Sequence, residues 1–142
     1  MYTTTVRSAR ITYTKLNRLL FEGKLPPSSQ IVFDIGGINN SWAYCQKIKD
    51  GVKIKLTPTY KSKHFFITIL AHEMVHVKQY AKGEMKDIFR PARMVKWHGV
   101  KYNIEETDYW ELPFEIEAYG REKGLYIKFM NYLRTMPGDD TF

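Results

Sequence analysis

Apolar residues along the chain recur at two different spacings. Ile11, Leu16, Leu19, Leu20 and Phe21 fall at near-helical intervals within residues 8–22, and Gly23 follows where a helix would stop, so a first helix is predicted there. Pro26, Pro27, Ser28 and Ser29 mark a loop. Three β-type runs come next. Ile31 to Ile35 is short and apolar. Ser41 to Ile48 is aromatic and mixed, and follows the turn signals Gly36-Gly37 and Asn39-Asn40. Val52 to Leu56 alternates apolar residues with lysine behind Asp50-Gly51, a hairpin signal, and Pro58 ends it.

From Ser62 to Ala81 the period becomes helical. On a 100° wheel with His72 at zero, Phe66, Val77, Leu70, Ala81, Met74 and Ile67 fill an arc from about 120° to 220°, and Phe65 and Ile69 lie near 20° and 60°. A helix apolar round most of its circumference is a central, buried one, and polar residues on it need a reason. Val95 to Tyr102 reads as a tight hairpin with His98-Gly99 as its turn. Pro113 suits the first turn of a second long helix, and Gly124 a place where it ends or breaks. Leu125 to Leu133 then forms a C-terminal helix, and residues 137–142 are expected to be a disordered tail. The elements predict one α+β domain over 1–142: an N-terminal helix, a short three-stranded sheet, a buried helix, a hairpin, and two further helices.

Composition narrows the function classes. Cys45 is the only cysteine, which excludes an intramolecular disulfide scaffold and a cysteine-type structural zinc site. The first ten residues contain no apolar signal region, and the longest strongly apolar stretch, Phe65 to Ala71, is far too short to span a bilayer. The expectation is a soluble, cytoplasmic protein with no membrane partner. The net charge of +7 is unevenly spread. Lys47, Lys49, Lys53, Lys55, Lys61 and Lys63 face Asp50 alone, whereas residues 105–122 hold seven acids against Arg121. The basic regions suit either a nucleic-acid partner or a solvated surface. Cations collect at the acidic segment.

The chemistry lies in the buried helix. His72, Glu73 and His76 form H-E-x-x-H. Residues four apart on a helix project about 40° from each other, so both imidazoles reach one site, while Glu73 lies about 100° round. Two such nitrogens suit a tetrahedral Zn²⁺, and a glutamate beside the metal suits the general base of a metal-assisted hydrolase. Two core histidines and a glutamate, each paired internally, are the bland alternative. Burying three such groups without partners costs several kcal/mol.

At these residues the chain resembles a known family. IKLTPTYKSKHFFITILAHEMVHVKQY resembles the core of SprT-like zinc metallopeptidases: a strand, a short loop and the metal-motif helix. WHGVKY and ELPFEIEAYGRE resemble small phage-type and bacterial H-E-x-x-H peptidases, so that residues 31–124 are covered. The resemblance implies a small zincin-like fold, a Zn²⁺ cofactor, action in the cytoplasm (a host's, for a phage protein), and a sheet edge that binds extended substrate above the metal helix. Val52 to Leu56 is the expected edge. The best-known members act on DNA-bound proteins and carry an additional Cys-rich zinc module, which this chain lacks.

Three functions fit: a zinc peptidase acting on protein or peptide substrates, a non-catalytic zinc-containing module holding nucleic acid or a protein partner, and an amidase with a non-peptide substrate. Glu73 favours hydrolysis, since a purely structural site has no use for it. For the third protein ligand the family patterns divide. SprT-like enzymes take a histidine from an H-G-x-x-F/W motif, which His98-Gly99 with Tyr102 partly matches. The gluzincin pattern takes a glutamate followed by a small residue, which Glu117-Ala118 matches. A hairpin tip at His98 points away from a buried site, and Gly120 and Gly124 fall within about 60° and 20° of Glu117, which would permit close helix approach. Glu115 projects about 160° away from Glu117, so only one of the two can face the metal. The expected ligands are His72, His76 and Glu117 with a water, and His98 is the reserve. Tyr80, Tyr109 and Tyr119 are equal candidates for oxyanion stabilisation.

Overall fold

The structure, a computed structural model, describes residues 1–38, 40–88 and 93–135. The tail expected at 137–142 lies outside them, as does Asn39 of the second turn signal. Among the described residues no helix is long and apolar enough to cross a membrane.

Helix α1, Val6–Leu20, begins at a reciprocal capping box in which the Thr5 and Ser8 side chains each accept from the other's backbone N–H. Ala9, Tyr13, Leu16 and Leu20 form its buried stripe. Asn17 bonds both backbone groups of Leu25, fixing the loop that carries the chain to the sheet. Two short strands, β1 (Tyr2–Thr3) and β5 (Thr59–Tyr60), pair antiparallel and close the N-terminus over the core.

The main sheet contains β2 (Ile31–Ile35), β3 (Ala43–Ile48) and β4 (Gly51–Leu56) in the order β2-β4-β3. β2 runs parallel to β4, and β3 antiparallel. Ile31, Phe33, Val52, Ile54 and Leu56 point inward from alternating positions. They meet α2, Lys63–Ala81, which Ser62 caps at the Phe65 N–H and which buries twelve residues from Phe66 to Gln79. The expected edge strand is therefore corrected. β4 is hydrogen-bonded on both sides, and the edges are β2 and β3, of which β3 lines the cleft described below. A hairpin always makes two strands neighbours, but only the parallel return of β2 decides which of them becomes central.

A second sheet, β6 (Met85–Ile88), β7 (Met94–Trp97) and β8 (Val100–Asn103), forms an antiparallel meander beyond α2. Trp97 pairs with Val100, and His98 (φ +47°) and Gly99 (φ +87°) make the two-residue turn. Met85, Val95, Leu112 and Phe114 form a smaller core there. The last helix, α3, runs unbroken over Pro113–Thr135. The expected break at Gly124 does not occur. A mid-helix glycine costs about 1 kcal/mol, and Phe129, fully buried on the main core with Leu125 and Leu133 beside it, offsets that penalty.

Candidate metal centre

α2 holds His72 and His76 one turn apart on the face it turns toward β3 and α3. Their rings are 5.2 Å apart, and each is more than nine-tenths buried. The donor atoms of His72, Glu73 and His76 all lie within 4.8 Å of one another, and this buried group can hold a metal ion. They form the floor of a cleft of about 600 Å³ between the β3 edge and the second sheet.

The carboxylate that joins them is Glu115. Its Oε1 lies 3.1 Å from His76 Nε2 and 3.4 Å from His72 Nε2. Ligand atoms at 2.0–2.1 Å in a tetrahedral zinc site stand about 3.3 Å from each other, and the two separations from Glu115 Oε1 to the imidazole nitrogens are of that size. Burial alone would raise the Glu115 carboxyl, but hydrogen bonds and charge from both imidazoles override it and hold it at about 2. Glu115, Tyr119 and Glu122 share one stripe of α3. The Tyr119 ring packs edge-on against His72 at 4.4 Å, and Glu122 Oε2 lies 3.6 Å from His72 Nδ1.

Glu117 is elsewhere. It accepts from both Lys78 Nζ (3.0 Å) and Gln79 Nε2 (2.9 Å), and Arg121 lies 3.5 Å away. The two glutamates do project to different sides of α3, as their spacing requires, but the side that carries Gly120 and Gly124 is not the one turned to the histidines. A Cβ at Gly120 or Gly124 would meet nothing within 4 Å, so the glycine face of α3 is open to solvent. The face that approaches α2 carries Phe114 and Ala118. From sequence, Glu115 is weighed against Glu117 and set aside for want of flanking glycines, although its i, i+4, i+7 stripe with Tyr119 and Glu122 is a readable signal. His98 stands exposed at the hairpin tip, its Nε2 4.0 Å from Glu84 and away from the histidine pair.

Gln79, fully buried on α2, is a residue the sequence reading passed over. Its Oε1 lies 2.7 Å from His76 Nδ1, while its Nε2 donates to the Phe114 carbonyl (3.0 Å) and to Glu117. Burial would lower the basicity of His76, but Glu115, Glu73 and Gln79 raise it to about 9.

Glu73 is 5% exposed, and its Oε2 has no hydrogen-bond partner. Burial pushes its carboxyl up and Glu115 adds to this, against the pull of His76 and His72. Of the three tyrosines, Tyr109 lines the cleft beside Glu115 and meets Tyr119 at 3.3 Å between hydroxyls. Tyr80 is turned to Asp87. Among the lysines named for a polyanion footprint, Lys53 and Lys55 pair with Asp34, Lys47 bonds the Ile48 and Gly51 carbonyls, and Lys61 lies over the Phe65 ring. No family model, no curated protein and no solved structure matches this chain.

Proposed function

We propose that the protein is a zinc-dependent peptidase of zincin-like, SprT-related type, with His72, His76 and Glu115 as metal ligands and Glu73 as general base. The observation behind this is a single carboxylate oxygen of Glu115 within 3.4 Å of two imidazole nitrogens, with a second, buried and unpartnered carboxylate beside them. The donor set is two neutral nitrogens and one carboxylate, which suits zinc. Zinc held there supplies Lewis acidity and lowers the pKa of water from about 15.7 to near 7.

The chain's own groups supply the rest. Glu73 Oε2, raised by burial, takes a proton from the attacking water and passes it to the leaving nitrogen. Tyr109, whose hydroxyl is kept protonated by burial, Tyr119 and Glu115, can donate to the oxygen that gains charge. The β3 edge has unpaired backbone groups along the cleft, where an extended peptide can add as a further strand.

Metal analysis and a general peptidase assay on wild type and Glu73→Gln test the reading. Near-stoichiometric zinc is expected in both, with turnover lower by about 10²–10⁴-fold in the variant. Equal activity in the two proteins would remove Glu73 as the base. Inactivity of the zinc-loaded wild type against a broad peptide library would favour a binding module.

A further inference from the structure

The cleft does not end at the histidine pair. It continues along α2 toward the second sheet, where Met85, Val95, Leu112 and Phe114 give it apolar walls. One carboxylate faces into this inner end. Asp87 lies on β6 opposite Val95, half-buried, and both of its oxygens lie within 3.1 Å of the Tyr80 hydroxyl, which donates to it. Among the described residues no lysine or arginine pairs with it. Burial holds the Asp87 carboxyl above its ordinary range, against the hydrogen bond from Tyr80 and the charge of Arg93, which is exposed and lines the same cleft.

A half-buried carboxylate with one neutral donor has lone pairs to spare and a desolvation cost that a cation would relieve. Asp87 takes no part in the proposed hydrolysis. Its position is set by spacing: Tyr80 follows His76 by four residues, so it continues the histidine stripe with a rise of about 6 Å along the helix axis. That is comparable to the reach of an extended lysine or arginine side chain. Apolar walls suit the methylene stem of such a side chain, and a carboxylate at the end suits its head. Cys45 lies near Glu73, Asp87 and Glu115, all three of which raise its thiol pKa after burial, so the cleft as a whole is acidic.

We propose that the inner end of the cleft is a specificity pocket for a basic side chain, with Asp87, oriented by Tyr80, pairing with a lysine or arginine next to the scissile bond. This rests on the peptidase reading. Quenched fluorogenic peptides varied at the two residues flanking the cleaved bond would be assayed on zinc-loaded wild type, Asp87→Asn and Tyr80→Phe. Cleavage next to lysine or arginine should exceed cleavage next to leucine by about tenfold or more in kcat/KM. Asp87→Asn should reduce that ratio about tenfold, and Tyr80→Phe should reduce it less. A wild-type preference for apolar residues, or a ratio unchanged in Asp87→Asn, overturns the pocket while leaving the peptidase standing.

Binding of Nα-acetyl-arginine amide and Nα-acetyl-leucine amide, followed by NMR shifts of Tyr80 and Val95, gives a readout free of turnover. Arginine amide should shift both resonances in wild type and not in Asp87→Asn. Equal shifts from the two amides, or none from either, overturn the proposal whether or not peptides are cut.

Discussion

Gln79 shows how a side chain that touches no metal can decide what a ligand presents. Its amide nitrogen faces two acceptors, the Phe114 carbonyl and Glu117, so its oxygen must face His76. His76 Nδ1 therefore carries the hydrogen, and Nε2 is the atom turned to Glu115. Replacing Gln79 by alanine should lower zinc affinity by about 10–100-fold, measured by competition with a chromophoric chelator. Glu115→Ala should lose more than that, and Glu117→Ala less, because Phe114 still orients the amide. Wild-type affinity in Glu115→Ala, with metal lost from Glu117→Ala, would restore the ligand set expected from the sequence. The motif residues His72, Glu73 and His76 were legible because helical spacing alone brings them together. Glu115 and Glu117 were separable only as opposites. Which of them faces inward depends on the packing of Phe114 and Ala118, and neighbouring glycines do not report that.

At the level of elements, local pattern was enough wherever one face of an element is buried and the next element follows directly. Ile31–Ile35, the start of α2 at Ser62 and the His98-Gly99 turn all appear where the sequence predicts them. What failed was non-local. Strand order depends on the chain returning parallel beside β4, and the two-residue strands β1 and β5 are too short to carry a period. β6, only four residues long, has no period of its own and follows α2 after a single turn. The β2–β4 junction offers a test of this non-local fit. Gly51 has φ +152°, and a Cβ there would lie 2.6 Å from the backbone oxygen of Gln30, just before β2. Backbone cannot yield as a flexible side chain can, so Gly51→Ala should destabilise the protein by about 1–3 kcal/mol in urea unfolding. A loss below about 0.5 kcal/mol would mean the two strands can separate there at little cost. Leu70→Ala, at a fully buried position on α2, should cost about 2–5 kcal/mol and serves as the core reference.

Across the whole molecule, the candidate metal centre joins α2 to α3, and pH should decide how strongly. In the metal-free protein the pH-sensitive part of that tie is the ion pair of His76 with Glu115, beside the bonds of Lys78 and Gln79 to Glu117. His76 is raised from 6.5 to about 9, so its contribution to stability is complete below 6.5 and is lost as pH rises through 9. Glu115 is lowered from 4.5 to about 2, so its contribution is complete above 4.5 and is lost as pH falls through 2. The metal-free fold should therefore gain most from this pair between about pH 4.5 and 6.5. Zinc reverses the dependence on the alkaline side, because it must displace the proton from the same Nε2 atom. Apparent zinc affinity should rise about tenfold per pH unit between 6 and 8 and level off near 9, with about one proton released to the buffer by His76 on binding. Free zinc at one hundred times its dissociation constant adds about 2.7 kcal/mol of stability, so the gap between zinc-loaded and chelator-treated melting temperatures should widen from pH 6 to pH 8 at fixed total zinc. Calorimetry in two buffers of different ionisation enthalpy measures the released proton directly. A heat independent of buffer, with an affinity flat from pH 6 to 9, would mean that His76 is already neutral at pH 6 and that Glu115 does not hold a proton on it.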